Sequence, residues 1–532
     1  MTNPLKAAEV VQIGTPRLTA GLDRMFRLDL ASHLAVHGPF PRLTISELID
    51  LAESVDLRGR GGAAFPVARK LKATADSAAR MKSRTVVLVN ASEGEPASTK
   101  DKMLMIRVPH LVLGGAVLAG RALRAQEIVV GVESGSPAAR SILEAAGEAG
   151  LRRQLRVVEV PERFISGEGG ALVNAVNGRP PVPPGRKTRA SDSGVDGLPT
   201  YLSNAETFAQ LGLLALLGAD EYRSAGTADE PGTVLLTVGG SAKKPAVVET
   251  PAGVPLGPIL EICEATMGEG VLVGGYHGMW LPPAIAATVP VSRNGMAKVG
   301  GALGAGIVAP LGDGTCPLGE VARVASYLAG ESSGQCGPCK LGLPSVGRAL
   351  TALADGSGGM EALETARRGA SAVRRRGACS HPDGTSRFVL SALNVFTDDI
   401  AAHVFNGSCG RQVRGVLPLE SSFAEPESGR VRFEVDWTRC EGHGLCAKLV
   451  PELVHLDRNG YPVFLDAPVP FWLQKEAEQA VEMCPALALR LSSGQSSHSG
   501  PAKPAIEAKV GGAGPAVRPP RTILQLPAGR ND

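Results

Sequence analysis

The feature that most constrains this chain is a regular alternation of strand-like and helical segments between residues 85 and 160. Three apolar runs, TVVLVN, EIVVGVE and LRVVEV, occupy residues 85–90, 127–133 and 155–160. Helical patterns at residues 110–124 and 138–149 separate them. Because parallel strands need a crossover segment between them, usually a helix, this order predicts an α/β domain with a doubly wound parallel sheet.

The chain has 532 residues, too many for one hydrophobic core, so several domains are expected. After residue 233 the pattern changes to strand, hairpin, short helix and strand, which suits a β-grasp domain. A helix-rich, alanine-rich part follows and predicts a small bundle, and a small α+β unit comes last. We predict a ligand-binding α/β domain, a β-grasp domain, a helical bundle, a linker, the small unit and a disordered Ser/Gly/Pro/Ala-rich tail, at residues 1–232, 233–310, 311–410, 411–430, 431–491 and 492–532.

Composition excludes some partners. Lys and Arg number 55 against 52 Asp and Glu, a net charge of +3, and only 4% of residues are aromatic. Neither a basic surface nor base-stacking platforms are indicated, so we expect no nucleic acid. Residues 1–11 lack the apolar core of a signal peptide, and the most apolar helical run, 110–123, is too short to span a bilayer. We therefore expect no membrane span and a cytoplasmic protein.

A glycine-rich turn, LRGRGGAAFP, occupies residues 57–66. Glycines let a backbone approach a phosphate closely, and the N-terminus of the following helix adds N–H donors. Lys70 adds a positive charge on that helix, and Phe65 offers a ring for stacking. Such a turn also occurs for structural reasons alone. As a ligand site it suits a phosphate-bearing flavin, with the candidates Gly59, Arg60, Gly61, Gly62, Phe65 and Lys70.

Polar residues follow the first predicted strand in VNASEGEP, residues 89–96. Ligands of α/β sheets bind at the carboxyl ends of the strands, so Asn90, Glu93 and Glu95 are candidates for contacts with flavin, ribose or carboxamide. A solvated acidic loop is the alternative. Two further segments, FISGEGGALVNAVNGRP and LPTYLSNAETFA, add weaker candidates, namely Gly167, Glu168, Ser203 and Asn204.

Two sets of cysteines have the spacing of metal ligands. SGQCGPC contains Cys336 and Cys339, and Cys379 follows forty residues after Cys339. A C-x-x-C loop closed by a distant cysteine suits an iron–sulfur cluster, and zinc is the competing interpretation.

The second set is CEGHGLC with Cys440 and Cys446, completed by Cys484 before a proline. Three cysteines ending in a Cys-Pro pair suit a ferredoxin cluster. Three thiolates favour [3Fe–4S], whereas His443 as a fourth ligand would allow [4Fe–4S]; His443 as a plain surface residue is an equal alternative. Of the other cysteines, Cys263 and Cys316 are expected to be small buried hydrophobic residues.

Taken together, the motifs resemble the NADH-binding flavoprotein subunit of respiratory complex I, relatives of which occur in soluble NAD-reducing hydrogenases and formate dehydrogenases. They occur in its order, across roughly residues 15–410: LRGRGGAAFP, VNASEGEPASTKDK, SGEGGALVNAVNGRP, LPTYLSNAETFA and ESSGQCGPCKLG. Residues 431–491 are instead similar to single-cluster actinobacterial ferredoxins that feed haem monooxygenases.

The resemblance implies a role for each matching position. The glycine turn, Lys70, Asn90, Ser203 and Asn204 would hold FMN. Phe65 would stack on the nicotinamide or adenine of NAD(H), and Glu93 and Glu95 would orient the nucleotide. The cysteines of residues 336–379 would ligate an iron–sulfur cluster in the bundle, either [4Fe–4S] or [3Fe–4S].

The sequence also departs from the family. Ser333 stands where a fourth cluster cysteine is usual. Three alternatives follow for the fourth ligand: the Ser333 oxygen coordinates iron, the cluster is [3Fe–4S] and needs none, or Cys409 replaces the missing cysteine. Ser92 replaces an aspartate, Gly169 and Gly170 stand where a carboxylate is usual, and Ala73 replaces an aromatic residue. Several of these lost groups face NAD in the family, so FMN binding is better supported than NADH binding.

The resemblance implies an oxidoreductase that passes electrons from NAD(P)H to FMN, then to the clusters, and finally to a redox protein such as a haem monooxygenase. Hydride transfer demands no catalytic acid or base, and none is assigned. One alternative is an electron-transfer subunit that takes its electrons from a partner subunit. The other is a structural or assembly subunit with a degenerate cluster site.

Overall fold

The computed structural model describes residues 9–185, 188–419, 431–451, 453–464, 469 and 474–493. The first part of the chain, up to residue 223, contains most of the α/β elements. In chain order these are β1 (Glu9–Gln12), α1 (Leu30–His37), α2 (Ile45–Ser54), α3 (Val67–Met81), β2 (Thr85–Ala91), α4 (Lys100–Arg107), α5 (Pro109–Ala122), β3 (Ala125–Glu133), α6 (Pro137–Glu148), β4 (Leu155–Val160), α7 (Gly169–Val176), β5 (Thr200–Asn204) and α8 (Ala205–Arg223).

Four of these strands form a parallel sheet in the order β4-β3-β2-β5. Alternate residues of β2 face opposite sides: Val87 and Val89 join one core with α5 and α8, whereas Val86 and Leu88 join another with α7. Burial on both faces explains why these strands are continuous runs of apolar residues. The predicted doubly wound α/β fold is confirmed.

A second sheet follows, built from β6 (Thr233–Val238), β7 (Ala246–Pro251), α9 (Leu256–Ile262), β8 (Val271–Val273), β9 (Met279–Leu281), α10 (Pro283–Thr288), α11 (Arg293–Lys298) and β10 (Ile307–Pro310). It is mixed, in the order β1-β7-β6-β10-β8-β9. Its edge strand β1 comes from the N-terminus and pairs in parallel with β7. The sequence pattern predicts helices and the glycine turn over residues 1–84, and no strand. β1 is not predictable from local pattern because its pairing partner lies more than 230 residues away in the chain.

The third part is a helical bundle of α12 (Pro317–Gly330), α13 (Leu343–Ala354), α14 (Gly359–Ala372), α15 (His381–Val395) and α16 (Thr397–Asn406). Its core contains alanines and leucines of α12, α13, α14 and α15, Ile400 of α16, and the rings of Phe388 and Phe396. Residues 411–419, predicted as linker, lie on the bundle: Leu417 is fully buried in its core, and the Cys316 amide donates to the carbonyl of Gln412.

The fourth part contains β11 (Val431–Val435), α17 (Leu445–Leu449), β12 (Val454–Leu456), β13 (Pro462–Phe464), α18 (Gln474–Glu482) and β14 (Leu489–Ser493). β11 pairs antiparallel with β14, and β12 with β13. The predicted tail began at residue 492, but Ser492 still pairs with Arg432 in the β11–β14 ladder. The rest of the predicted tail, 494–532, and the linker residues 420–430 lie outside the described part. The domain boundaries stay predictions.

Among the described residues no single helix is long and apolar enough to cross a membrane. Two pairs of consecutive helices reach that length and apolar character only when taken together, but each pair is sharply bent: α4 and α5 by 92°, and α15 and α16 by 79°.

Candidate functional site

A cavity of about 660 Å³ opens at the carboxyl ends of β2 and β5. The chain leaves β2 for β3 and β4 on one side, whereas β5 lies on the other side, so the strand order reverses at this point. Such a reversal leaves a crevice in which α/β sheets bind ligands. Asn90 and Ser203 line the cavity from the strand ends, and Asn204 joins them.

The glycine turn forms one wall of the cavity. The Gly59 amide donates to the Phe65 carbonyl at 2.9 Å, which closes the turn before α3. The Arg60 amide donates to the Thr207 hydroxyl at 2.9 Å. A Cβ on Gly61 would lie 3.1 Å from the Cβ of Asn204, and Gly62 has a φ of 101°. The turn is therefore held tightly against α8, and its wall is bare backbone.

Lys70 brings the positive charge that the sequence predicted. Its ammonium donates to the Leu202 carbonyl at 2.9 Å and lies 6.0 Å from the centre of the Phe65 ring. Burial lowers the pKa of Lys70, and an anion beside it would offset that cost. Phe65 is 48% exposed at the cavity, so one ring face is available for stacking.

The two glutamates have different surroundings. Glu93 is buried and accepts from the amides of Asp101 and Lys102 at 3.1 and 2.9 Å, at the start of α4. Glu95 accepts from the Tyr276 amide and so joins the first sheet to the second. Burial raises the pKa of Glu95 to about 8, and burial together with Asp101 raises the pKa of Glu93. Glu95 is therefore mostly a neutral carboxyl at pH 7.

Glu168 and Gly167 line the opposite side. The Asn90 side-chain amide donates to the Gly167 carbonyl at 2.8 Å, and Glu168 caps α7 by accepting from the Ala171 amide at 2.9 Å. The hydroxyl oxygen of Ser92 is buried and has no hydrogen-bond partner within the described ranges. The bare glycine wall, the Lys70 ammonium and this unpaired hydroxyl fit a phosphate-bearing ligand with polar ring edges, as FMN is.

At the base of the cavity, where Lys100 and Asp101 contribute to its lining, lies a buried ion network that no sequence motif indicated. Lys100 is 2% exposed, and its ammonium lies 2.7 Å from Glu206 and 3.3 Å from Asp101. Asp101 also accepts from the Asn204 side-chain amide at 2.5 Å. The network thereby fixes the orientation of Asn204. Its only sequence signal is the charged TKDK run at the start of a helix that is otherwise apolar.

Residues of the second sheet and of the bundle form a third wall of the cavity. No local sequence motif predicted this wall. His277 Nε2 lies 3.1 Å from His381 Nδ1, and His381 Nε2 lies 2.8 Å from the Leu328 carbonyl. Burial, followed by the neighbouring His381, lowers the pKa of His277 well below its usual value, so the ring is neutral. The proximity of His381 to Cys379 in the chain was the only available signal.

The first cysteine set adjoins this wall. Cys339 lies in a single π-helical turn, Pro338–Gly342, and Cys379 itself lines the cavity. Burial and the neighbouring Cys336 raise the pKa of Cys339 to about 12, and burial raises that of Cys379. Burial opposes ionisation of Cys336 as well, but hydrogen bonds from the amides of Ala378 and Cys339 lower its pKa overall. The three predicted thiols are thus neighbours at one edge of the cavity.

The two serines next to the first cysteine set, Ser332 and Ser333, and the candidate replacement ligand Cys409 lie in different surroundings. Ser332, the neighbour of Ser333, hydrogen-bonds through its hydroxyl to the Cys339 thiol. Ser333 is half-buried in the same loop, and its role as a ligand stays a prediction. Cys409 lies beside Cys316 and His403.

The second cysteine set also converges. Cys440, Cys446 and Cys484 line one pocket between the loop before α17 and the turn after α18. Burial raises the pKa of Cys446, and Cys440 and Cys484 contribute to the shift. His443 lies at the same pocket, is exposed, and has its Nε2 3.7 Å from a carboxylate oxygen of Glu441.

Three family models match successive parts of the chain. Residues 52–212 match the Nuo51 FMN-binding domain, and residues 319–403 match the NADH-ubiquinone oxidoreductase-F iron-sulfur binding region. Residues 433–491 match a 4Fe-4S single cluster domain. These matches contain the glycine turn with the strand-end residues of the cavity, the first cysteine set and the second cysteine set, respectively.

Whole-chain comparisons agree with the models. An NADH-quinone oxidoreductase subunit of Mycobacterium tuberculosis is 29% identical over 387 residues, covering 68% of this chain and 86% of that protein. NADP-reducing hydrogenase subunit HndC of Solidesulfovibrio fructosivorans is 24% identical, covering 77% and 84%. A crystal structure of NAD+-reducing [NiFe]-hydrogenase in the H2-reduced state is similar with a TM-score of 0.64 and 26% identity, covering 75% of this chain and 68% of that chain.

The predicted cofactor classes are confirmed at the level of domains: one binds FMN and two bind iron–sulfur clusters. The chain is thus an oxidoreductase built from a Nuo51 FMN-binding domain, an NADH-ubiquinone oxidoreductase-F iron–sulfur region and a single-cluster ferredoxin domain, and its homologues are subunits of NADH-quinone oxidoreductases and of hydrogenases.

Proposed function

We propose that this chain oxidises NAD(P)H at the cavity and delivers the electrons, through the cysteine site of the bundle and then the ferredoxin domain, to a separate redox protein. The observation that carries this proposal is the position of Cys379, which lines the cavity and neighbours Cys336 and Cys339. FMN, when bound, takes up a hydride and releases single electrons, which iron–sulfur clusters carry.

The chain's own residues would bind and orient these groups. Gly59, Gly61 and Gly62 would present backbone to the flavin phosphate, and Lys70 would supply the counter-charge. Asn90, Ser203 and Asn204, fixed at the strand ends, would contact the flavin ring. Glu95, largely neutral at pH 7, would offer a carboxyl that can donate as well as accept.

The nucleotide would enter over the open side of the cavity. Phe65 is exposed there and can stack on the nicotinamide or adenine. Because Glu93 already accepts two backbone amides of α4, Glu95 is the better placed of the two glutamates to contact the nucleotide. The electron acceptor at the far end would be a haem monooxygenase or another redox protein, and partner subunits and a cytoplasmic location belong to the same proposal.

One alternative is favoured by specific residues. Ser92 and Gly169 stand where the family has carboxylates, and Ala73 where it has an aromatic ring; Ala73 is also absent from the residues lining the cavity. With these contacts gone, the flavin would receive electrons from a partner subunit instead of NAD(P)H.

Anaerobic stopped-flow mixing separates the two. The full chain, purified with its flavin, is mixed with NADH and separately with NADPH while absorbance near the flavin maximum is followed. The proposal predicts rapid bleaching with one of the two nucleotides. Flavin that stays oxidised with both, yet bleaches with dithionite, would favour the partner-fed alternative. A colourless protein after anaerobic purification would favour a structural role.

A further inference from the structure

Three side chains that the proposed function does not use converge at one end of the bundle. Cys316, His403 and Cys409 offer two thiol sulfurs and an imidazole nitrogen that all lie within 4.8 Å of one another. None of the three lines the cavity or neighbours the first cysteine set among the described contacts. They constitute a separate group, here termed the Cys-His-Cys cluster.

The cluster joins segments that are far apart in sequence. Cys316 is the residue before α12, His403 lies in the last turn of α16, and Cys409 begins the segment that runs back along the bundle. Cys316 and His403 are each 2% exposed. Cys316 was expected to be a plain buried hydrophobic residue, but its sulfur accepts from the Gly319 amide and lies 3.3 Å from His403 Nε2.

The neighbours of the cluster suit metal ligands. The carbonyls of Leu353 and Ala354 lie near the His403 imidazole, and its buried Nδ1 makes no hydrogen bond of ordinary geometry to the described residues. A small shift would let Nδ1 donate to such a carbonyl, the contact that orients ligating histidines. Arg411 hydrogen-bonds to Cys409 and so helps to hold its side chain in place. The same guanidinium pairs with Asp399 and with Glu269, the latter at 2.8 Å, so its position is fixed.

Two thiolates and one imidazole are the donor set of zinc. Zinc binds sulfur at about 2.3 Å and imidazole nitrogen at about 2.0–2.1 Å in a tetrahedron, which places neighbouring donors about 3.5–3.8 Å apart. In the cluster the Cys316 sulfur lies 3.3 Å from His403 Nε2 and no separation exceeds 4.8 Å, so the donor atoms lie close to that spacing. Hard oxygen-preferring cations such as magnesium are disfavoured by the sulfur ligands.

We propose that Cys316, His403 and Cys409 bind a structural zinc ion, with a water molecule as the fourth ligand. Binding releases the two thiol protons to solvent and involves no change of oxidation state. The ion would fasten residues 409–419 to the first and last helices of the bundle, α12 and α16, beside the existing bond between the Cys316 amide and the Gln412 carbonyl. It would thereby anchor the segment from which the chain continues to the ferredoxin domain.

Metal analysis of the full chain tests the proposal. After growth with added zinc and anaerobic purification, mass spectrometry of the elements should find about one zinc per chain in addition to iron. Cys409→Ala and His403→Gln should each lower the zinc content at least fivefold while flavin and iron stay unchanged. The matched control is Cys263→Ala, which changes a buried free cysteine at the end of α9 and should leave the zinc content unchanged.

X-ray absorption at the zinc edge of the wild-type protein identifies the zinc ligands directly, so the proposal remains testable even where a variant fails to fold. The expected shell contains two sulfurs and light N/O ligands including an imidazole. Zinc-free wild type, zinc that survives Cys409→Ala, a shell of four sulfurs, or a Cys316–Cys409 disulfide found by peptide mapping would each overturn the proposal.

Discussion

Asn90 and Asn204 are paired in register at the ends of two adjacent parallel strands, β2 and β5. One side-chain amide donates to the Gly167 carbonyl and the other to Asp101, so the two asparagines face different partners across the strand reversal. The glycine turn packs against them so closely that a Cβ on Gly61 would lie 3.1 Å from the Cβ of Asn204. This pair therefore marks where the sheet, the turn and the buried ion network meet at the cavity.

Gly61→Ala should weaken flavin binding. The added methyl would lie 3.1 Å from the Cβ of Asn204, so the turn or the asparagine must shift by a few tenths of an ångström. We expect a loss of about tenfold in flavin affinity, equivalent to about 1.4 kcal/mol, measured by titrating deflavinated protein. Gly330→Ala is the control, since a Cβ there meets nothing within 4 Å. Equal affinities for the two variants would contradict the tight packing of the turn.

Lys100→Met should destabilise the α/β domain. It would leave Glu206 and Asp101 buried without their shared cation, and breaking a buried pair in this way costs about 3–5 kcal/mol. The expected result is a large fall in melting temperature with loss of flavin. Lys72→Met, which removes an exposed pair with Asp76 at 3.9 Å, should shift it little. Similar melting temperatures for the two variants would argue against the network.

Glu95→Gln should become relatively more stable as pH rises. Burial raises the pKa of Glu95 from 4.5 to about 8, so the folded protein holds a proton there that the unfolded chain has lost. Wild-type stability contributed by this group therefore falls between pH 4.5 and 8, whereas glutamine does not titrate. We expect a relative gain of about 2–3 kcal/mol for the variant between pH 6 and 9, since the proton difference persists over about two pH units.

Melting temperatures across that pH range check this prediction. The exposed Glu144, changed to Gln, serves as the control and should track the wild type. A constant difference between Glu95→Gln and wild type from pH 6 to 9 would show that Glu95 does not titrate in this window.

Cys379→Ser should separate flavin reduction from cluster reduction. Because Cys379 both lines the cavity and belongs to the first cysteine set, its replacement would leave the flavin wall intact apart from one atom while removing a proposed cluster ligand. We expect loss of the bundle cluster signal in electron paramagnetic resonance, with flavin content retained. Cys263→Ser should keep both signals, and a bundle signal that persists in Cys379→Ser would remove this cysteine from the ligand set.

Much of the sheet and cavity could be predicted because the signals are local. The apolar runs of β2, β3 and β4, the glycine turn and Asn90 each stand out within about ten residues of sequence. What could not be predicted depends on contacts between distant segments. β1 pairs with β7, His277 meets His381, and Cys316 meets His403 across 87 residues.

The same reason explains the individual misassignments. In the sequence Cys316 merely follows Thr315 at a turn and has no ligand-like spacing, and only the packing of α16 against α12 reveals its polar partner. Residues 411–419 have a linker-like composition, but Leu417 is buried against the bundle. Lys100 lies in a charged run that is typical of a solvated surface in sequence. Its buried partner, Glu206, belongs to another helix, so the ion pair has no local signal.

The central claim is that electrons travel from the nucleotide through flavin to both cluster sites of one chain. Rapid freeze-quench electron paramagnetic resonance tests it most directly, after the anaerobic protein is mixed with NADH or NADPH. The account predicts that flavin absorbance falls first and that signals from the bundle cluster and the ferredoxin cluster then change in the same sample. Reduced flavin with both clusters unchanged, although dithionite alters their signals, would contradict it.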